Sequence, residues 1–193
     1  MKFSVQRETL LRPLSMVAGA VERRQTMPIL SNMLFKLAGS NLVITGTDLE
    51  VELSASVPVD VEEKSASSIT IPARKIVEIC KSLPDDAAIR FATEEGKVSV
   101  QSGRSRFTLA TLPAKDFPSV QHDESSFSVT VNQQDFAGLI QKTAFSMAQQ
   151  DVRYYLNGML WEISEGELRA VATDGHRLAV SEIPLIKQED IDT

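Results

Sequence analysis

The sequence predicts an α+β fold made of repeated βαβββ units, two of which would build one domain. Two observations predict it. The chain contains a gapless internal repeat, and each copy holds a short alternating segment, an apolar set at helical spacing and then strand-like runs separated by turn residues. With 193 residues, 42% of them hydrophobic, the chain can form one complete domain and part of another.

The repeat aligns residues 3–59 with residues 129–185. Nine aligned pairs are identical, where chance at ordinary composition would give roughly three. Apolar character is kept at other positions, as where Phe35 aligns with Trp161. The two segments are therefore expected to share one topology.

The first copy begins with a predicted strand, Phe3–Val5, and a predicted helix within Arg7–Arg24, whose apolar residues recur every three or four positions. Its further strands are predicted at Asn32–Leu37, Leu42–Thr45 and Val51–Val57. The last copy repeats the pattern, with a strand at Val129–Val131 and a helix within Asn132–Arg153.

A fainter unit lies between the two copies. Ile69–Ile71 is predicted as its first strand and Pro72–Leu83 as its helix. Its remaining strands are predicted at Ala88–Thr93, Lys97–Gln101 and Arg106–Leu112. The three units span residues 2–59, 69–113 and 127–185.

These units predict the domains. Residues 1–125 would form the first domain from units 2–59 and 69–113, with a polar linker at 114–126. Residues 127–193 would form the first half of a second domain. Because a lone unit leaves an unpaired strand edge, we expect the natural chain to continue beyond Thr193.

Charge is unevenly distributed along the sequence. The net charge of −6 argues against nucleic acid as a partner, because phosphate binding needs a basic surface. The three predicted helical stretches are together positive, however, so one face could attract DNA while the remainder repels it. An uneven spread of charge among solvated faces explains the same count, and composition does not choose between the two.

The sequence indicates a cytoplasmic protein without a cofactor. It has no apolar stretch of signal-peptide or membrane-spanning length, and its single cysteine, Cys80, allows neither an internal disulfide nor a cysteine-based zinc site. No phosphate-binding glycine loop is present, so nucleotide hydrolysis is not expected. Cys80 falls on the apolar side of its predicted helix, where a buried side chain is expected rather than a nucleophile.

One pair of residues could suggest catalysis. Asp174 and His176 lie two residues apart and could form an acid-base pair in a hydrolase or hold a metal ion. A Thr-Asp-Gly turn between strands explains Asp174 without chemistry, and Glu50 aligns with His176 in the first copy. We therefore expect no enzyme activity and no bound metal. A hydrolase that uses Asp174 and His176 is kept as a third hypothesis, behind the two binding functions described below.

Tyr154 and Tyr155 lie between a predicted helix and a predicted strand. Adjacent side chains at such a connection cannot both enter one core, so at least one is expected to be exposed and able to contact phosphate, base or peptide. Two partly buried strand aromatics are the alternative. Arg23-Arg24 lies at the corresponding connection of the first copy, which favours a contact surface.

Several strings of residues match those of one known family. The most specific is Asp151-Val152-Arg153-Tyr154-Tyr155-Leu156-Asn157-Gly158. The others are Pro28–Leu30, Thr45–Glu50, Ile71–Lys75, Gly103–Phe107, Asp116–Pro118 and Ala172–Leu178. Over its whole length the chain closely resembles the bacterial DNA sliding clamps, the beta subunits of DNA polymerase III.

The resemblance implies the DNA clamp fold, with helices lining a central channel and sheets outside. Clamps of this family have three domains of two βαβββ units each, and two chains close head to tail around DNA. The resemblance therefore implies that this chain is an N-terminal fragment, with the rest of the second domain and the third domain absent.

The resemblance also implies roles for individual residues. DNA-contacting positions of the family are matched by Arg24, Arg74, Gln150, Tyr154 and Tyr155. One wall of its partner-peptide cleft is matched by Leu156, Thr173, Gly175, His176, Arg177 and Leu178. Its homodimer interface is matched by Lys75, Arg104, Arg106 and Leu109.

The implied function is to confer processivity on the replicative DNA polymerase. The ring would encircle double-stranded DNA without sequence preference, and its retention by topology requires only weak phosphate contacts. Its implied peptide partners are the alpha subunit of DNA polymerase III, the delta subunit of the clamp loader, other polymerases and repair proteins. The alternative is a peptide-binding adaptor of the same fold that does not encircle DNA.

Overall fold

The computed structural model of the chain describes residues 1–21, 27–63, 68–118 and 128–186. The chain divides into an N-terminal unit, Met1–Gln121, and a C-terminal unit, His122–Thr193. In the described residues, the N-terminal unit has two antiparallel sheets with helices packed against them, and the C-terminal unit has one antiparallel sheet with one α-helix packed against it.

The elements follow the predicted order closely. In the N-terminal unit they are β1 (Lys2–Gln6), α1 (Arg7–Val17), β2 (Asn32–Ala38), β3 (Asn41–Thr47), β4 (Glu52–Pro58), β5 (Asp60–Glu63), β6 (Ser68–Pro72), α2 (Ala73–Ser82), β7 (Ala88–Glu94), β8 (Lys97–Ser102) and β9 (Ser105–Ala110). In the C-terminal unit they are α3 (Gln133–Thr143), β10 (Leu160–Ser164), β11 (Glu167–Thr173) and β12 (Leu178–Pro184). Short 3₁₀ helices lie at Ala18–Ala20, Pro28–Ser31, Ala114–Asp116, Ala144–Ser146 and Tyr154–Asn157. The sequence did not predict β5.

The N-terminal unit exchanges strands between its two repeats. Its sheets have the orders β5-β1-β7-β8-β9 and β4-β3-β2-β6. The first strand of each repeat thus joins the sheet of the other, with Phe3 opposite Phe91 and Phe35 opposite Ile69. This exchange makes two repeats into one folding unit.

Three phenylalanines lie at the centre of the N-terminal core. Phe3, Phe35 and Phe91 are fully buried, and the rings of Phe3 and Phe91 stack with centroids 4.7 Å apart. The predicted apolar faces of the helices are confirmed. The buried helical residues are Leu10, Leu14 and Val17 on α1 and Ala73, Ile76, Ile79 and Cys80 on α2.

Two predicted helices are shorter than expected. The first ends at Val17 and passes through a 3₁₀ turn to an extended Val21, while residues 22–24 lie outside the described ranges. The last ends at Thr143, whose hydroxyl donates to the carbonyl of Leu139 at 2.9 Å. Met147 is already extended, so the chain beyond that turn leaves the helix axis.

The predicted strand at Val129–Val131 is wrong. Its counterpart, β1, pairs with a strand of the second repeat, and no such repeat follows within the described part of the C-terminal unit. The segment instead accepts a backbone hydrogen bond at the carbonyl of Thr130, from the N–H of Ile186 at 3.1 Å. For the same reason β10 pairs, among the residues that the structure describes, only with β11, whereas its counterpart β2 lies between β3 and β6.

In the ranges that the structure describes, no helix combines the length and the apolar character that a bilayer crossing demands.

Candidate nucleic-acid and peptide interface

The turn after β11 is held by side-chain to backbone hydrogen bonds. The Asp174 Oδ1 atom accepts the backbone N–H groups of His176 at 2.9 Å and Arg177 at 3.0 Å. The Thr173 Oγ1 atom accepts the N–H of Gly175 at 3.1 Å and donates to the carbonyl of Arg177 at 2.7 Å. These backbone groups, that of His176 first, lower the pKa of Asp174, so its carboxylate is committed to the turn.

The first repeat forms the same turn without a histidine. The Asp48 Oδ1 atom accepts the N–H groups of Glu50 at 3.0 Å and Val51 at 2.7 Å. The Thr47 Oγ1 atom accepts the N–H of Leu49 at 3.0 Å. The turn is therefore a structural feature of the repeat that requires no catalytic partner.

The residues considered for catalysis have structural explanations. Asp174 makes the turn that Asp48 also makes, so the hydrolase hypothesis gains nothing from its position next to His176. Cys80 is fully buried, and burial raises the pKa of its thiol to about 11. Within residues 1–21, 27–63, 68–118 and 128–186, no group of three or more His, Cys, Asp or Glu side chains could hold a metal ion.

The Asp151–Gly158 segment is locked by its own polar side chains. The Asn157 side chain accepts the N–H of Asp151 at 3.0 Å and donates to its carbonyl at 3.1 Å. The guanidinium of Arg153 donates to both carboxylate oxygens of Asp151, at 3.0 and 2.9 Å. The Arg153 side chain, and then its backbone N–H, hold the pKa of Asp151 down at about 2.

This locked segment presents two tyrosines to solvent. Tyr154 is 82% exposed and Tyr155 is 68% exposed, and their rings meet edge to face with centroids 6.0 Å apart. They belong to a 3₁₀ helix before β10, so the alternative of two partly buried strand aromatics is wrong. Gln150, which is also exposed, precedes them in a left-handed conformation with φ of 57°. Their contact with DNA stays a prediction.

The residues predicted for a peptide cleft lie on two neighbouring segments. Thr173 ends β11, and the turn that follows contains Gly175, His176 and Arg177. Leu178 begins β12, and Leu156 belongs to the 3₁₀ helix Tyr154–Asn157. Leu178 is 64% exposed and Leu156 is half-buried, so both offer apolar surface. The segments touch at Gly175, where a Cβ atom would lie 3.3 Å from Nη1 of Arg153.

The exposed side of α2 is positively charged. Arg74, Lys75 and Lys81 are exposed on this helix, with Glu78 as the one acidic residue among them. The Nε atom of Arg74 donates to the Glu78 carboxylate at 2.7 Å, which raises the pKa of the arginine and leaves it charged. Arg24, the other predicted DNA-contacting cation, lies outside the described residues.

Most residues predicted for a chain-to-chain interface lie at β9. Arg104 is in the turn before this strand, Arg106 and Leu109 belong to it, and Lys75 is on α2. Among the described residues β9 pairs only with β8, so its outer backbone edge is open to a strand from another chain. Arg106 is exposed, and its Nε atom donates to Ser99 Oγ at 3.3 Å.

Sequence reasoning assigned no role to Asp151, Arg153 or Asn157, which build the locked segment. A signal was present: Arg153 lies two residues after an acidic residue, and Gly175 replaces the aligned Leu49 of the first copy. Neither feature by itself indicates that the guanidinium lies against the glycine, since that contact depends on the fold.

Two family models match the chain in tandem. Residues 1–121 match the DNA polymerase III beta subunit, N-terminal domain, and residues 130–193 match its central domain. The chain belongs to the DNA polymerase III beta subunit family. The resemblance found from the sequence strings is thereby confirmed.

Relatives in this beta subunit family are close in sequence. The beta sliding clamp of Pseudomonas putida is 56% identical over 191 residues, which cover 98% of this chain and 52% of that protein. The beta sliding clamp of Escherichia coli is 51% identical over 185 residues, covering 96% of this chain and 50% of that protein. The chain spans about half the length of the curated relatives it matches.

Solved beta subunit structures share the fold. The DNA polymerase III subunit beta of Pseudomonas aeruginosa matches with a TM-score of 0.90 and 54% identity, covering 95% of this chain and 50% of that one. The pol III beta of Caulobacter crescentus matches with a TM-score of 0.88 and 41% identity at the same coverages. The predicted α+β clamp fold is thereby confirmed.

Proposed function

We propose that this chain contributes to a DNA sliding clamp that confers processivity on the replicative DNA polymerase. The observation that carries the proposal is the tandem match to two adjacent domains of the beta subunit family. Residues 1–125 then correspond to clamp domain 1 and residues 127–193 to part of clamp domain 2. The relatives are named as a clamp and a beta subunit, which are accessory proteins. We therefore propose that this chain has no enzyme activity. We also propose that it acts in the cytoplasm.

We propose that duplex DNA is contacted through charge and aromatic surface without base recognition. Support comes from the exposed cations of α2, including Arg74, and from the exposed Tyr154 and Tyr155 beside Gln150. Contacts of this kind act on phosphates and sugars, so they attract duplexes of any sequence. Arg24 belongs to the same proposed surface. A sliding protein requires such sequence-independent attraction.

We propose that partner proteins bind through short peptides that contact Leu156 and the residues of the Thr173–Leu178 turn. The partners are the polymerase alpha subunit, the clamp loader delta subunit, other polymerases and repair proteins. The exposed apolar surface of Leu178 and the half-buried Leu156 support this proposal, because exposed apolar surface of this kind binds the apolar side chains of a partner. Homodimer closure would use the open edge of β9 with Arg104, Arg106, Leu109 and Lys75.

The DNA contacts are tested by substitution in a full-length protein that contains these residues. We expect Arg74→Ala to weaken binding to duplexes of any sequence and to reduce the slope of log K against log salt by about 0.9, as for one lost phosphate contact. Arg90→Ala is the matched control, since it removes an exposed arginine that pairs with Glu62 on a strand rather than on a helix. Equal losses from both variants would contradict the proposed surface.

The ring is tested against the adaptor alternative by topology. We expect full-length protein loaded on a nicked circular plasmid to stay bound through gel filtration and to be lost once the plasmid is linearised. A clamp is retained by closure and slides off a free end, whereas an adaptor has no reason to distinguish the two forms. Equal loss from circular and linear DNA rules out the ring mechanism.

A further inference from the structure

We infer that Arg153 is a positioning residue that joins the Tyr154–Tyr155 surface to the Thr173–Leu178 turn, so that a ligand bound at one alters the other. The inference rests on the proposed function, because it joins the proposed DNA contacts to the proposed peptide wall. No pattern in the sequence assigns a role to Arg153, because the position of its guanidinium depends on the fold.

One side of the guanidinium is fixed by Asp151. Arg153 donates from Nε to Oδ1 at 3.0 Å and from Nη2 to Oδ2 at 2.9 Å, and its backbone N–H donates to Oδ1 at 2.8 Å. A bidentate pair of this kind fixes the plane as well as the position of the guanidinium. The carbonyl of Arg153 accepts the N–H of Leu156 at 2.9 Å, across the two tyrosines. The side chain and the tyrosine segment are therefore held as one piece.

The other side of the guanidinium lies against the turn. Its Nη2 atom donates to the carbonyl of Asp174 at 3.5 Å, a long and weak bond. At Gly175 a Cβ atom would lie 3.3 Å from Nη1 and 3.5 Å from Nη2 of Arg153. Close approach therefore depends on a glycine, which also adopts φ of 87° at little cost. Movement of this turn would press on the guanidinium directly.

The first repeat shows that the turn does not require this arginine. There Leu49 takes the place of Gly175 with a similar φ of 79°, and Met27 aligns with Arg153. The hydrogen bonds of the Thr-Asp turn are nevertheless made in both repeats. The Arg153 contact is thus specific to the C-terminal unit, and the stability of the turn does not explain it.

The first test measures whether the two segments respond together. In the 193-residue chain, we expect Arg153→Met to raise amide exchange, followed by NMR, both at Leu156 and at the turn residues His176 and Arg177. We expect an increase of about fivefold or more, the low end of usual coupling between sites. The matched control is Arg169→Met, which removes an ion-paired arginine from the neighbouring sheet. Changes confined to residues 151–158 would overturn the inference.

A second variant approaches the contact from the turn. Gly175→Ala introduces a Cβ atom against the guanidinium, and we expect amide shifts at Asp151, Arg153 and Leu156 as well as within the turn.

Arg153→Lys keeps the charge but not the planar fork, so it should behave as Arg153→Met does. If Arg153→Lys instead shows the amide exchange of the wild-type chain, charge alone is sufficient and the positioning role is refuted.

The last test separates this inference from the proposed function. A duplex oligonucleotide of arbitrary sequence is titrated into the wild-type chain, and we expect amide shifts at Tyr154 and Tyr155 and also at residues 173–178. In Arg153→Met the tyrosine shifts should remain and the turn shifts should disappear. Turn shifts that persist in the variant overturn the coupling. If the duplex shifts no residue in wild type, the DNA proposal fails for this chain, and the exchange test still decides whether Arg153 joins the two segments.

Discussion

Gly46, on β3, packs tightly against Val17 at the end of α1 and against Val21 beyond it. A Cβ atom at this position would lie 2.9 Å from Cγ1 of Val17, 3.0 Å from its carbonyl oxygen and 3.1 Å from Cγ2 of Val21. The carbonyl is backbone and cannot rotate away. We therefore expect Gly46→Ala to lower the free energy of unfolding by about 1–3 kcal/mol, the usual cost of overpacking, measured by urea denaturation.

Gly138→Ala is the control for the Gly46→Ala substitution. Gly138 lies inside α3, and apart from its chain neighbours and the backbone of its own helix no atom lies within 4 Å of the position that a Cβ would take. Because glycine has poor helix propensity, Gly138→Ala should raise the free energy of unfolding by up to about 1 kcal/mol. If both substitutions shift stability in the same direction, steric contact with Val17 is not what distinguishes Gly46.

At the scale of elements, the locked segment 151–158 should respond to acid. The pKa of Asp151 is lowered to about 2, chiefly by the Arg153 side chain, from an unfolded value near 3.9. A lowered carboxyl pKa stabilises the folded state fully above about pH 4 and progressively less as pH falls toward about 2. We expect the amide signals of Arg153 and Leu156 to shift over that range in NMR spectra, and Asp151→Asn to abolish the change. A midpoint near pH 4 would show that the Arg153 pair does not form in solution.

The sequence predicts a helix or strand well where neighbouring residues determine it, and poorly where it depends on packing against a distant segment. The helix spacing predicted the buried faces of α1 and α2 because an amphipathic helix carries its pattern in its own sequence. An alternating segment such as Phe3–Val5 indicates a strand but does not specify its partner. That partner is chosen by packing, here of Phe3 against Phe91, so the exchange of first strands was beyond the sequence.

In the candidate site, too, the sequence predicts local features but not contacts between distant segments. Exposure of Tyr154 and Tyr155 followed from their adjacency at a connection, which is a local property, and the structure has both exposed. The contact between Arg153 and Gly175 joins segments far apart in the sequence, and no spacing rule predicts it. The Val129–Val131 strand failed for a related reason, since a strand requires a neighbour as well as a pattern.

At the scale of the whole molecule, the two units have cores of unequal size. The N-terminal unit buries one large apolar cluster centred on Phe3, Phe35 and Phe91. Among the described residues, the C-terminal cluster contains three buried ones, Leu139, Leu168 and Ala170, with partly buried side chains around them. Because hydrophobic stabilisation scales with buried apolar area, the C-terminal unit should unfold at the lower urea concentration.

The chain carries a separate natural probe in each unit, which makes this last prediction measurable without labels or insertions. Trp161, the only tryptophan, stacks on Phe136 in the C-terminal unit, and Cys80, the only cysteine, is buried in the N-terminal unit. We expect tryptophan emission to change at a lower urea concentration than that at which the thiol becomes reactive. Phe136→Ala should then shift only the first transition and Ile76→Ala only the second. Coincident midpoints that move together in both variants would mean that the two units unfold as one cooperative body, and the smaller cluster would then be stabilised by the larger.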